Sequence, residues 1–418
     1  MVKKVDGSVN QSADGEEKDS IRNAISSIEQ SITSLQNLAP FISDDDRFEI
    51  NALSKKLHAL QSKPQAQSLS TAGQHPFLVE RPTSHFEELE IIEYRKLKSL
   101  KLSNLARINL IAGINNSGKT TILEAIKLMC ALNAPNEFIK LIQLRSKISS
   151  DQVDMKWLIG QLPSAKLSGR FDDRKLTLDL KLEKKSITDI NAYLISSCFD
   201  TSYDEKKWSS QIHFFKRSAP KTEGDVTSLC PSVFSNPFSG LDPDLLKMCH
   251  KKSIKDGSKQ QIVNFIQKFI DPSIQNIELV ENEQFAVEHD LFFPNPDLTM
   301  FGEGLQRIFK IGLLFACAKN GVVIIDEFEN AIHTMLLPKI VALIYELAVQ
   351  FNVQVFLTSH SKECIDAFVN SDRLQEKDLA AYTLVSRNNL FECFHFSGSR
   401  MKRLIGSIDF DLRGKYQE

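Results

Sequence analysis

The chain lacks any C-x-x-C pair and any cysteine–histidine cluster at zinc spacing. Its seven cysteines stand alone at 130, 198, 230, 249, 317, 364 and 393. An odd, dispersed set argues against a disulfide framework or a structural zinc site and fits reduced, buried thiols. Long apolar runs are also missing. The densest stretches, Ile311 to Ala318 and Leu336 to Val349, are short or carry Lys339 and Glu346, whereas a membrane span needs about 20 apolar residues. The opening Met-Val-Lys-Lys turns polar at once, so no secretory leader and no membrane partner are expected, and a cytoplasmic location is. An excess of one charge is absent too. Lys and Arg number 51 against 53 Asp and Glu, for a net charge of −2, which argues against a broad basic surface for nucleic acid. No internal repeat is present. What remains is an ordinary globular composition, 42% apolar and 25% charged over 418 residues, long enough for two or three domains.

Polarity divides the chain. Residues 1–18 read as a disordered tail. Ile21, Ile25, Ile28, Ile32, Leu35 and Ala39 then recur at helical spacing until Pro40. After Asp44-Asp45-Asp46, a second run aligns Ile50, Leu53, Leu57 and Leu60. This predicts a coiled-coil-like helical hairpin over 19–62. It is too small for its own core, so its stripe packs on the rest of the chain or serves oligomerisation or partner docking. Residues 63–85, rich in Gln, Ser and Pro, read as a linker. The core follows over 86–418, with a β and helical insertion at 131–300. Strand-like runs flank Tyr94 and cover 166–171, 175–182, 211–215, 277–280 and 285–288. Residues 135–162 and 259–270 look helical, and the proline-bearing 216–245 looks like loop.

The most informative stretch is Gly113-Ile114-Asn115-Asn116-Ser117-Gly118-Lys119-Thr120, the phosphate-loop pattern G-x-x-x-x-G-K-[ST]. A buried strand, Ile108 to Ala112, leads into it, and an amphipathic helix from Thr121 leads out. In such a loop the glycines let backbone N–H groups cradle phosphates, and the helix start adds positive potential. Gly113, Asn115, Asn116, Ser117, Gly118, Lys119, Thr120 and Thr121 are the expected nucleotide contacts. Lys119 would reach the β- and γ-phosphates, and Thr120 would ligate Mg²⁺. Val322-Val323-Ile324-Ile325 reads as a buried parallel strand ending in Asp326-Glu327, and ligands of parallel sheets bind at that end. Asp326 is expected to hold Mg²⁺, and Glu327 to orient or deprotonate water. Gly302-Glu303-Gly304-Leu305-Gln306-Arg307 precedes the apolar helix Ile308 to Ala318. A second buried strand, Val353 to Ser359, ends at His360, placed to reach a γ-phosphate or the attacking water.

These blocks follow the order and spacing of ABC-type ATPases and resemble their Walker A, signature, Walker B and switch-histidine motifs. The SMC/RecF/OLD-like branch is the nearer resemblance, carried by Ile92-Glu93-Tyr94-Arg95 and by Asp326-Glu327-Phe328-Glu329-Asn330-Ala331-Ile332-His333. It covers roughly 86–130 and 260–418. The resemblance implies an α/β P-loop head with antiparallel β and helical insertions, ATP and Mg²⁺ as ligands, and an oligomer, at least a dimer. Two heads would sandwich ATP, each giving Gly302, Glu303, Gly304, Gln306 and Arg307 to the other's phosphate loop. Three departures stand out. No serine occupies the signature block, where Gly302 or Glu303 stands instead; hydrolysis is therefore expected to be slow or partner-dependent. Ala331 replaces a glycine common in this branch. The Q-loop glutamine is open among Gln143, Gln161 and Gln211.

Fifty-eight residues follow His360, too few for the Toprim nuclease domain of OLD nucleases. The chain thus resembles stand-alone ATPases of bacterial antiphage systems, such as the PtuA type of Septu and retron operons and the AriA type of PARIS. That implies a regulatory or sensor ATPase controlling a separate effector, a nuclease by analogy. Two alternatives are a RecF- or SMC-like repair or recombination ATPase that binds DNA directly, and an ATP-bound scaffold with negligible hydrolysis. Basic clusters at Lys184-Lys185, Lys251-Lys252 and Arg400 to Arg403 could touch phosphates or form solvated faces.

Overall fold

The computed structural model describes residues 77–146, 163–184, 193–215, 221–236, 243–280, 284–387, 390–408 and 410–413. The chain separates into compact units Met1–Gly73 and Gln74–Glu418. The expected tail, the hairpin over 19–62 and the linker up to residue 76 lie outside the described residues, as does Gln161.

The second unit is built on a parallel sheet. Its strands are β3 (Ile108–Ala112), β9 (Ser232–Ser235), β12 (Val322–Ile325), β13 (Gln354–Ser359), β14 (Leu379–Arg387) and β15 (Leu390–Ser397), in the order β15-β14-β3-β13-β12-β9. All neighbours are parallel except the β14–β15 pair. The inner strands are apolar at nearly every position because both faces are covered. Their pleat sorts side chains between two cores. Leu110, Val323, Ile325, Val355 and Leu357 face one core; Ile111, Val322, Ile324 and Phe356 face the other.

The first core is closed by helices α5 (Glu303–Cys317), α6 (Leu337–Gln350) and α7 (Lys362–Val369). Behind them pack α3 (Pro243–Lys255), α4 (Ser258–Phe269) and the hairpin of β10 (Ile274–Leu279) and β11 (Phe285–His289). The second core is closed by helix α1 (Lys119–Ala131) and an antiparallel sheet. That sheet contains β1 (Phe86–Tyr94), β2 (Leu97–Ser103), β4 (Ala165–Phe171), β5 (Arg174–Lys184), β6 (Tyr193–Tyr203), β7 (Lys206–Phe215) and β8 (Lys221–Gly224), in the order β2-β1-β4-β5-β6-β7-β8. Helix α1 touches β1 and β5 on one side and β9, β12 and β13 on the other. It is therefore buried almost all round, as a helix between two sheets must be. The buried Gln354 amide joins the sheets, accepting from Phe86 N–H at 3.0 Å and donating to the Phe86 and Ala106 carbonyls.

Several elements differ from the sequence expectation. The expected loop over 216–245 contains β8 and β9 and leads into α3. β9 is a four-residue edge strand just after Pro231; proline is tolerated at such edges. Among the described residues its only ladder partner is β12, so nothing local marks it. β6 was not anticipated either. Ser196, Ser197, Asp200, Thr201 and Ser202 dilute its alternation, and ladders to β5 and β7 on both sides hold it. The helix expected over 135–162 is described as α2 (Pro135–Ser146); residues 147–162 lie outside the described residues.

Lys127 ties α1 to its surroundings. Its ammonium donates to the Ser232 carbonyl and hydroxyl, each at 2.9 Å, and pairs with Glu137 of α2 at 2.8 Å. Lys127 chiefly, despite burial, holds the Glu137 carboxyl down to about 2 from its usual 4.5. A depressed carboxylate stabilises the fold above its unfolded pKa and loses that stabilisation as pH falls through the folded value. Glu137→Gln is expected to cost about 1–3 kcal/mol at pH 7. The gap to wild type should close between pH 4.5 and about 2 in urea titrations. Phe356 is fully buried against α1 and the antiparallel sheet and stacks edge-on to Phe86. Phe356→Ala should cost about 3–5 kcal/mol in the same assay.

Candidate functional site

Three parallel strands end side by side. β3 runs into the phosphate loop, β12 into Asp326-Glu327 and β13 into His360. β13 lies between the other two, so its last residues can reach both neighbours.

The loop is shaped by backbone that favours glycine. Gly118 has φ 98° and Gly113 φ 154°, and a Cβ on Gly113 would meet Ser117 Oγ at 2.8 Å. Asn116 takes φ 62°, a conformation asparagine tolerates better than most residues. Asn115 and Asn116 are exposed, whereas Ser117, Lys119 and Thr121 are buried. Lys119 Nζ donates to the carbonyls of Gly113 at 2.8 Å and Ile114 at 2.9 Å. Burial pushes its pKa down, and Asp326, Glu329 and Glu327 pull it back up. Helix α1 starts at Gly118 without a side-chain cap, which leaves its first N–H groups open to an anion.

Asp326 is the junction of the site. Its Oδ2 accepts from the Thr120 hydroxyl at 2.7 Å, and its Oδ1 accepts from the Thr358 hydroxyl. Thr358 Oγ1 in turn accepts from Glu327 N–H at 2.8 Å. Glu327 is held at φ 46°, a left-handed conformation that costs a non-glycine residue about 1–3 kcal/mol. Arg307 stabilises this turn from below. Its Nη2 donates to the carbonyls of Asp326 at 3.2 Å and Glu327 at 2.6 Å. Burial lowers the Arg307 pKa, and Glu329, Glu327 and Asp326 oppose that. Gly304 belongs to the same contact, since a Cβ there would meet the Ala331 carbonyl at 2.6 Å. Ala331 sits at φ 60°, a backbone state in which glycine is easier.

Not all expected signature residues face outward. Arg307 and Gln306 are engaged within their own chain; Gln306 Nε2 donates to the Phe301 carbonyl at 3.0 Å. Gly302 and Glu303 are exposed at the start of α5. Among the Q-loop candidates, Gln143 lies in α2 and Gln211 in β7. Two carboxylates had no role assigned from sequence. Glu329 Oε1 accepts from His360 N–H at 2.7 Å and Ser361 N–H at 3.1 Å, and lies 3.0 Å from His360 Nδ1. Glu124, buried on α1, accepts from the Tyr94 hydroxyl and Arg95 Nε, both at 3.1 Å. The Asp-Glu-x-Glu spacing was the available signal for Glu329. Glu124 had none, because its partners lie 29 and 30 residues away.

The residues fit a nucleoside triphosphate with Mg²⁺. Ser117 Oγ is buried without a hydrogen-bond partner, and the Lys119 ammonium is satisfied by carbonyls that an incoming anion can replace. The hydroxyl of Thr120 and the carboxylate of Asp326 supply the hard oxygen donors Mg²⁺ prefers. Such ions usually take few protein ligands beside phosphate and water. Among the described residues no group of three or more His, Cys, Asp or Glu gathers for a metal by itself.

Sequence comparison with known proteins agrees with this chemistry. Residues 146–366, just over half of the chain, match the family described as "AAA domain, putative AbiEii toxin, Type IV TA system". The match takes in Arg307, Asp326, Glu327 and His360. An ATP/GTP phosphatase of Helicobacter pylori is 23% identical over 348 residues, 71% of this chain and 90% of that protein. An uncharacterized protein of Methanocaldococcus jannaschii is 40% identical over 114 residues, 27% of this chain and 99% of that one. Among solved structures, an SMC head bound to the C-winged helix domain of ScpA aligns with a TM-score of 0.42 at 13% identity, over 75% of this chain and 98% of that one. The chain belongs to this AAA-domain family of P-loop proteins, and it is an ATPase.

Proposed function

We propose that this ATPase is the regulatory subunit of a bacterial antiphage defence system. It works in the cytoplasm, oligomerises through heads that sandwich ATP, and controls a separate effector, a nuclease. The observation that carries this reading is Arg307. One end of α5 offers the exposed Gly302 and Glu303 to a neighbour. One turn further on, Arg307 grips the carbonyls of both Asp326 and Glu327. A subunit that docks on the start of α5 therefore bears directly on the catalytic carboxylates. The match to a family of putative toxins of type IV toxin–antitoxin systems supports a defence setting.

The chemistry assigned to the residues is in-line hydrolysis. Lys119 exchanges its two loop carbonyls for phosphate oxygens. Thr120 and Asp326 would hold Mg²⁺, which would supply positive charge to the phosphates. Thr358 fixes Asp326 and the Glu327 backbone at once, so the Glu327 carboxylate is presented to water from a rigid turn. His360 contacts the nucleotide at the end of β13. The signature block brings no serine hydroxyl, which supports slow hydrolysis and a long-lived closed state. Residues 19–62 serve oligomerisation or effector docking.

Glu327→Gln is expected to lower ATP turnover by about 100-fold or more while keeping ATP binding. It should accumulate an ATP-dependent oligomer on size exclusion. Lys119→Ala should lose both ATP binding and that oligomer. Unchanged turnover in Glu327→Gln sinks the mechanism. In pull-downs with the product of the adjacent gene, a co-purifying nuclease supports the defence role. Salt-dependent DNA binding by the isolated protein, without such a partner, overturns it in favour of a repair ATPase.

A further inference from the structure

We infer that Glu329 is the positioning residue of His360, an inference that rests on reading the strand ends as an ATP-hydrolysing site. Glu329 follows β12 and His360 follows β13, neighbours in the parallel ladder. The Glu329 side chain is only 10% exposed, whereas that of His360 is 48% exposed. Its Oε1 accepts from the His360 backbone N–H at 2.7 Å and lies 3.0 Å from His360 Nδ1, within ion-pair distance. The same carboxylate thus holds both the main chain and the ring of the histidine.

A purely structural role would be to cap the turn before α7, but that turn has its own caps. Ser361 Oγ accepts from Cys364 N–H at 3.1 Å, and Ser361 N–H has a second acceptor in Ser359 Oγ at 3.1 Å. The contacts without a substitute are the two to His360, the bond from its backbone N–H and the 3.0 Å approach of its Nδ1. The other oxygen, Oε2, is buried with no hydrogen-bond partner, so no further structural contact competes for this group.

The consequence is chemical. A carboxylate at Nδ1 keeps the proton there and turns Nε2 outward. An exposed imidazole otherwise samples several rotamers and two tautomers. Glu329 removes that freedom before the nucleotide arrives, and a pre-oriented group contributes more to the rate-limiting geometry than a mobile one. The effect belongs in turnover rather than in ATP binding, because Glu329 contacts the phosphate loop only through long-range charge on Lys119.

The test has two arms. In nucleotide-free protein carrying ¹⁵N-histidine, the signal of His360 is assigned by its loss in His360→Ala among the nine histidines. It should report a protonated Nδ1 in wild type and a shift toward protonated Nε2 in Glu329→Ala. In the kinetic arm, Glu329→Ala should lower kcat about tenfold with KM for ATP changed less than about twofold. Added to His360→Ala it should cost nothing more, since one residue acts through the other. Glu329→Gln keeps an acceptor at Oε1 and should recover most of the loss. An unchanged His360 ring in Glu329→Ala overturns the proposal. So does an equal loss from Glu329→Ala in the wild-type and His360→Ala backgrounds, the behaviour of a merely structural cap. If wild type itself hydrolyses no ATP, the reading of the site fails, and the ring signal alone decides whether Glu329 orients His360.

Discussion

Two threonine hydroxyls meet on one carboxylate, and the rest of the site hangs from that junction. Thr120 comes from the first turn of α1, Thr358 from β13, and Asp326 from the end of β12. They meet only because the parallel ladders hold register. Ile325 lies opposite Leu357, and Thr358 lies opposite Ile111 at the end of β3. A slip of one residue would turn Thr358 to the opposite face of the sheet. The apolar pleat prevents it, because the same slip would exchange the two cores.

Charge is balanced around that junction with little room to spare. Two cations, Lys119 and Arg307, are buried enough for their pKa values to fall, and Asp326, Glu327 and Glu329 draw both back up. Buried groups of this kind need hydrogen bonds as well as opposite charge. Lys119 and Arg307 find them largely on backbone carbonyls, of the loop and of the Glu327 turn respectively. Carbonyl contacts leave the carboxylates available to nucleotide and water. They also join the start of α5 to the strained backbone of Glu327, so a contact made at one is felt at the other.

The phosphate loop, the Asp326-Glu327 strand end, the Gly302 cap of α5 and the strand before His360 were legible in the sequence. Each is a local pattern: glycines at fixed offsets, or a short aliphatic run ending in polar residues. The antiparallel runs within 88–102 and over 166–171 and 175–182, and the helix at 259–270, were legible for the same reason. β6 and β9 were not, because pairing partners rather than periodicity define them. Lys127 binding Ser232 across 105 residues, and Glu124 binding Tyr94 and Arg95, belong to the same class.

By itself the sequence determined the candidate groups: those of the kinds that cradle phosphate, hold a hard cation and orient water. Those properties reside in side chains and in short backbone motifs that form wherever a strand feeds a helix. Tertiary structure decided how the groups are deployed. It turned Arg307 and Gln306 inward, set Glu327 in a left-handed turn, and fastened His360 to Glu329. Each outcome depends on strands and helices brought together from distant segments, and on burial that makes every unpaired polar atom costly. Local pattern carries neither kind of information.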